Sequence, residues 1–158
     1  MSDTIRVRHP LRLTLHSLRD RALLVAPIRI ALGVVWLVAA RLAGASGVSA
    51  ILAFLGGAFA VVFAAFNDPR SRFLRRDEPQ PAPAGAVVAS RLHQALQATV
   101  PSTVGVTVLA AIALVPQPVL AAFLAGISAG LGVAGLLAAV RTDPSLYLDV
   151  RRGVVYRR

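Results

Sequence analysis

Residues 48–69 read VSAILAFLGGAFAVVFAAFNDP, and residues 119–144 read VLAAFLAGISAGLGVAGLLAAVRTDP. Each is a long apolar run that ends in Asp-Pro, and the two Asp-Pro pairs, Asp68-Pro69 and Asp143-Pro144, lie 75 residues apart. Arg76 and Arg151 keep the same register. A second apolar run precedes each of these, at 23–43 and 95–115, so the chain reads as a helical hairpin written twice. Each run is long enough to cross a hydrocarbon core ~30 Å thick at ~1.5 Å per helical residue. Inside that core every backbone N–H and C=O must be paired within its own segment, which for runs of this length means helix.

The expected fold class is therefore all-α: four transmembrane helices arranged as two tandem parallel-repeat hairpins. Composition agrees, because 56% of the 158 residues are hydrophobic and the mean hydropathy is +0.69, above the roughly 45–50% apolar share of soluble domains. Short amphipathic helices are expected on the cytoplasmic surface before helices one and three. In the first, Leu11, Leu15, Leu18 and Ala22 fall on one side and Arg12, His16, Arg19 and Asp20 on the other. In the second, Val88, Leu92 and Leu96 oppose Arg91, His93, Gln94 and Gln97. Pro27 and Pro101 stand at the entrances of helices one and three, either in a first turn or kinking a helix continuous with the surface segment.

The chain divides into a basic N-terminal segment (1–22), a first hairpin with basic tail (23–76), a proline-rich linker (77–86), a second amphipathic helix and hairpin (87–152) and a basic tail (153–158). The linker reads as extended. The alternation of Leu146, Leu148 and Val150, followed by Val154-Val155-Tyr156, allows a short hairpin or a strand that orders on a partner.

Net charge is +10, carried by 17 arginines and no lysine. With abundant Ala, Gly and Pro, that bias is the composition of a GC-rich bacterial genome. Fifteen of the arginines flank the helices on one side, whereas the turns 44–47 and 116–118 carry no charge. The positive-inside rule then places both termini and the central loop in the cytoplasm of a bacterial inner membrane. Arg41 alone dissents, and its stem can snorkel outward. The first run with Ala43-Gly44-Ala45 looks like a signal peptide with a cleavage site, but both basic and apolar parts are longer than in such signals, which favours an uncleaved anchor.

Cysteine is absent, which excludes disulfides and thiolate chemistry. Two motif matches fail on context. Gly130-x-Gly132-x-x-Gly135 fits the dinucleotide fingerprint but lies inside a membrane helix. Gly126-x-Ser128-x-Gly130 fits a nucleophile elbow, yet His9, His16 and His93 all belong to the opposite side of the membrane from a buried serine. The expectation is no enzyme, no cofactor and no metal.

The small residues instead suggest close helix packing. Gly56, Gly57, Ala60, Gly126, Gly130, Gly132 and Gly135 are expected to form a seam between helices two and four, within one chain or between chains. Arg29 is the one charge well inside an apolar run, readable as part of an ion pathway or as a side chain snorkelling to a lipid headgroup. Partners expected are anionic lipids and other membrane subunits or a second copy; charge alone, without a recognition motif or aromatic platform, does not point to nucleic acid.

A membrane hairpin followed by Asp143, Pro144, Arg152 and Tyr156 resembles the small inner-membrane hairpin subunit of type IV secretion systems, with Asp68 and Pro69 the only match in the first repeat. That resemblance implies a non-catalytic subunit of a secretion machine. The residues themselves favour a structural or accessory subunit of a larger membrane complex, with a small oligomeric transporter or channel as the alternative.

Overall fold

The computed structural model describes residues 14–67, 80–82, 86–149 and 154–157, with the side chains of 91–101, 149 and 154 left aside. It is mostly helical: α1 (Leu18–Leu42), α2 (Gly47–Asn67), α3 (Arg91–Leu114) and α4 (Pro118–Arg141). Three of these, α1, α2 and α4, are long and apolar enough to cross a membrane, which fits a multi-pass membrane protein. The described apolar part of α3, Ser102–Leu114, is shorter, and the start of the span expected at 95–115 lies among the side chains left aside.

Local chemistry sets the helix ends. Ser17 caps α1 by accepting from the Asp20 N–H at 3.2 Å, and Asp20 lies in the first turn, where the helix dipole favours an acid. At the other end Arg41 donates to the Ala45 carbonyl at 3.1 Å, and Gly44 takes φ +106° to turn the chain into α2. Arg41 thus reaches past the helix end and ties down the turn. Pro118 opens α4 at a position where its missing N–H costs nothing. Pro27 lies inside α1, and α3 likewise runs from Arg91 past Pro101, so both prolines stand within continuous helices.

The expected surface helices form only in part: residues 18–22 open α1 and residues 91–97 open α3, each within a longer helix. Thr14–Ser17 is a strand (β1) and Val87–Val88 is another (β3), joined with β2 (Gln80–Pro81), β4 (Leu146–Asp149) and β5 (Val154–Arg157) in one sheet of order β2-β5-β4-β1-β3. β1 pairs parallel with β3, Leu15 opposite Val88, and antiparallel with β4, His16 opposite Leu148. The physical reason is burial on both sides of β1: Leu15, His16 and Ser17 are all buried, which a surface helix with one wet face cannot achieve. Leu18 and Ala22 are helical as expected, but as the first turns of α1; Leu11 and Arg12 lie outside the described residues. The tail forms the antiparallel hairpin β4–β5 with Tyr147 opposite Tyr156, and Gln80–Pro81 of the linker is extended as strand β2 alongside β5.

Between the helices the usual order of a globular core is inverted. The buried residues of the bundle are Ala26, Ala40, Ala45, Ala50, Ala110, Ala113, Ala121, Ala122, Ala125, Ala129 and Ala139 with Val25, whereas Phe59 is 70% exposed and Ile112 67% exposed. Leu15, the largest fully buried side chain, belongs to the sheet. In water that distribution would leave a large apolar surface uncovered. In lipid it is the economical one, because large side chains gain nothing by turning inward while small ones let backbones approach.

Alanines from one end of all four helices, Ala40, Ala45, Ala50, Ala113, Ala121 and Ala122, form a single cluster beside the two turns. The strands gather at the opposite end. Along α4, Gly126 meets Phe54 and Gly130 meets Ala58, so α2 and α4 run in the same direction; Ala129 meets Gly33 and Gly132 meets Ala26, so α1 runs against α4. α4 is therefore the central helix, with α1 on one side, α2 on the other and α3 also against it. Among the described residues α2 and α3 do not pack together extensively.

Candidate functional site

Arg29 decides the polar centre of the bundle. Two residues beyond Pro27 it turns towards the matching place on α3, two residues beyond Pro101: its Nε donates to Thr103 Oγ1 at 3.0 Å and its Nη2 to Ser102 Oγ at 2.7 Å. Thr103 is buried and Ser102 exposed. From α4, Ser128 donates to the Arg29 backbone carbonyl at 3.1 Å, so three helices meet at one residue. A planar guanidinium with donors in a fixed fork suits two hydroxyl acceptors on adjacent positions of a neighbouring helix.

Neither sequence reading of Arg29 named these partners: its fork is engaged by α3 hydroxyls. Ser102 and Thr103 were missed as partners. The signal was present: a register of 74 residues superposes Pro27 on Pro101 and hence Arg29 on Thr103. Two hydroxyls directly after a membrane proline are also the residues that satisfy polar groups without charge.

The expected seam divides into two faces of α4. Gly57, Gly126 and Gly130 lie between α2 and α4; a Cβ at Gly126 would strike the Phe54 carbonyl, one at Gly57 the Phe123 carbonyl, and one at Gly130 would lie 2.7 Å from the Ala58 oxygen. Gly132 belongs to the other face, where a Cβ would come within 2.6 Å of Ile30 and 2.7 Å of the Ala26 oxygen on α1. Gly135 faces Ala26 at an ordinary 3.7 Å. Gly33, not singled out from sequence, completes that face against Ala125 and Ala129. Gly56 and Ala60 are exposed on the far side of α2, and nothing among the described residues lies within 4 Å of a Cβ placed at Gly56.

Both motif matches find structural employment. The glycines of the dinucleotide-like run are helix contacts, and the Ser128 hydroxyl is spent on an interhelical bond, which leaves its proton on a carbonyl and not on a base. Histidine 16 is buried in β1, at the sheet end of the molecule. His9 lies outside the described residues and the side chain of His93 is among those left aside. Among the described residues no group of three His, Cys, Asp or Glu side chains could hold a metal. A shallow groove of about 530 Å³ between α2 and α4, lined by Ala53, Gln117, Pro118, Val119, Leu120 and Phe123, is apolar and open.

The Asp-Pro corner of the second repeat is a turn. Asp143 Oδ1 accepts from the Ser145 N–H at 2.9 Å and from its hydroxyl at 2.8 Å, while the Leu146 N–H returns to the Asp143 carbonyl at 3.1 Å. Arg157 of β5 adds an ion pair at 3.6 Å. The Ser145 bonds first, and then Arg157, hold the Asp143 carboxyl below its ordinary pKa. Asp68 and Pro69 lie outside the described residues, as does Arg152. Near the same corner Arg141 at the end of α4 sits 4.8 Å over the Phe66 ring at the end of α2.

Set against family models, curated proteins and solved structures, the chain matches none.

Proposed function

We propose that the chain is a non-catalytic integral protein of a bacterial inner membrane, acting as a structural or accessory subunit of a larger membrane complex. One observation carries the reading: strands from before α1, before α3 and after α4 are gathered into a single small sheet at one end, while two tight turns form the other. Everything able to dock a partner outside the bilayer lies at the sheet end. By the positive-inside rule that end, with 15 of the 17 arginines in its segments, faces the cytoplasm. The bundle itself is closed by Ala and Gly contacts, as suits a scaffold more than a path.

Extraction in mild detergent followed by size-exclusion chromatography tests this reading. The expected result is a stoichiometric complex with larger subunits that survives the column, and loses the chain when the β4–β5 hairpin is deleted. A second reading, a small oligomeric transporter or channel, is favoured by the Arg29, Ser102 and Thr103 cluster on two proline-bearing helices. A symmetric oligomer of this chain alone, with anion flux in liposomes that depends on Arg29, would replace the scaffold reading with that one. The secretion-subunit resemblance gains less support, because Asp143 serves a turn and Tyr156 is buried in β5.

A further inference from the structure

We propose that Arg29, Ser102 and Thr103 form a binding site for a phosphate group, supplied by an anionic phospholipid of the sheet-side leaflet, where α1 meets α3. The site is an array of donors. Ser102 and Thr103 each spend an acceptor lone pair on the Arg29 guanidinium, and a hydroxyl that accepts still has its own O–H to give. Neither hydroxyl donates to any acceptor among the described residues. For Thr103, 4% exposed, such a donor is costly to leave unused, and a buried polar group calls for an acceptor that the described residues do not supply.

Charge points the same way. Arg21, about two turns earlier on α1, is near enough to act on Arg29 as a like charge. A guanidinium beside a second positive charge and two hydroxyl donors favours an anion, and phosphate is the anion whose oxygens match the guanidinium fork. Arg21 lies near the start of α1 and Arg29 about 12 Å deeper at ~1.5 Å per residue, a depth the arginine stem spans by snorkelling. Ser102 is exposed, so the site is reached from the bilayer. The inference rests on the bilayer placement of α1 and does not depend on which complex the chain joins.

Native mass spectrometry of the full chain in detergent tests it, with phosphatidylglycerol, diacylglycerol and inorganic phosphate as separate probes. Phosphatidylglycerol is expected to stay bound where diacylglycerol, which lacks the phosphate, is lost. Arg29→Met should weaken phosphatidylglycerol roughly tenfold or more, the usual cost of losing a charge-assisted hydrogen bond. Ser102→Ala, which removes an exposed hydroxyl and leaves the fold in place, should weaken it less, and Arg29→Lys should fall between wild type and Arg29→Met. Equal retention of phosphatidylglycerol by wild type, Arg29→Met and Ser102→Ala overturns the site. Displacement of phosphatidylglycerol by millimolar inorganic phosphate overturns the lipid as its source. Membrane fractionation of the same variants shows separately whether the bilayer placement stands.

Discussion

Replacing Gly126 by Ala adds one methyl group at the point where α4 lies closest to α2. The new carbon would sit 2.7 Å from the Phe54 carbonyl carbon and 2.9 Å from its Cα, against at least 3.4 Å for ordinary contact. Backbone cannot rotate aside as a side chain does, so the helices must part by at least 0.7 Å, the difference between 3.4 and 2.7 Å, and further to clear the carbonyl oxygen, which lies nearer still. A gap of that size forfeits roughly a quarter to a half of each dispersion well along the seam, where Gly57 and Gly130 make the neighbouring contacts. Overpacking of this kind costs about 1–3 kcal/mol. Alanine returns about 1 kcal/mol through helix propensity. Gly56→Ala is the matched control, since it collects the same propensity gain with nothing in its way among the described residues. The two variants should therefore differ by about 1–3 kcal/mol in unfolding free energy, Gly56→Ala being the more stable. Equilibrium unfolding in mixed SDS micelles, followed by the fluorescence of the single tryptophan, Trp36 in α1, measures that difference. A Gly126→Ala chain at least as stable as Gly56→Ala would refute the close approach of α2 and α4.

Ser128→Ala should cost about 0.6 kcal/mol, and no more than ~1.7, in the same assay, because one interhelical hydrogen bond to the Arg29 carbonyl is lost. Arg41→Met should destabilise by about 0.5–1.5 kcal/mol through loss of the bond to Ala45, and an unchanged midpoint would show that the turn holds without it. Asp143 gives a pH dependence of definite sign. A carboxyl whose folded pKa lies below its unfolded value stabilises the turn above the unfolded pKa and loses that contribution as pH falls through the folded one. Protection of the β4–β5 amides from hydrogen exchange should thus fall in acid below the ordinary carboxylate range, and Asp143→Asn should be less protected at neutral pH and flat across that range. An Asp143 carbon shift that titrates at or above the ordinary value contradicts the Ser145 and Arg157 contacts.

Helix positions were legible because the bilayer imposes length and composition together, and residues such as Phe59 and Val62 leave no other choice of element in an uncharged run. Of the sheet only the β4–β5 hairpin was legible, in the alternation of Leu146 and Leu148 and the run Val154-Val155-Tyr156. Leu11, Leu15 and Leu18 fall at helical spacing, yet Leu15 lies in β1 because that strand is covered by both β3 and β4, with partners 73 residues away in the pair Leu15–Val88 and 130 away in the pair Ser17–Tyr147. Periodicity within a short window carries no information about such pairings, and two-residue strands such as Val87–Val88 fall below any pattern. At the polar centre Arg29 stood out for its charge, but Ser102 and Thr103 did not, since hydroxyls in a membrane helix usually satisfy themselves on their own backbone.

Unequal contacts give the bundle its centre. α1 and α3 meet at Arg29 and Thr103, and α2 and α4 at Phe54 and Gly126. A strict two-fold relation between the hairpins would give α3 as close a contact with α2 as α1 has with α4, and among the described residues α2 and α3 share no extensive contact. The register of 75 residues shows the cause. Gly126 and Gly130 of α4 correspond to Ile51 and Leu55 of α2, both exposed, whereas Gly132 corresponds to Gly57, which is buried. α2 thus has one face small enough for close approach and α4 has two. A helix with two such faces can be enclosed by neighbours on both sides, while a helix with one can only lie at the edge with its large residues in lipid. Two differences in sequence, Gly126 against Ile51 and Gly130 against Leu55, thus separate the helix at the centre of the bundle from the one at its edge.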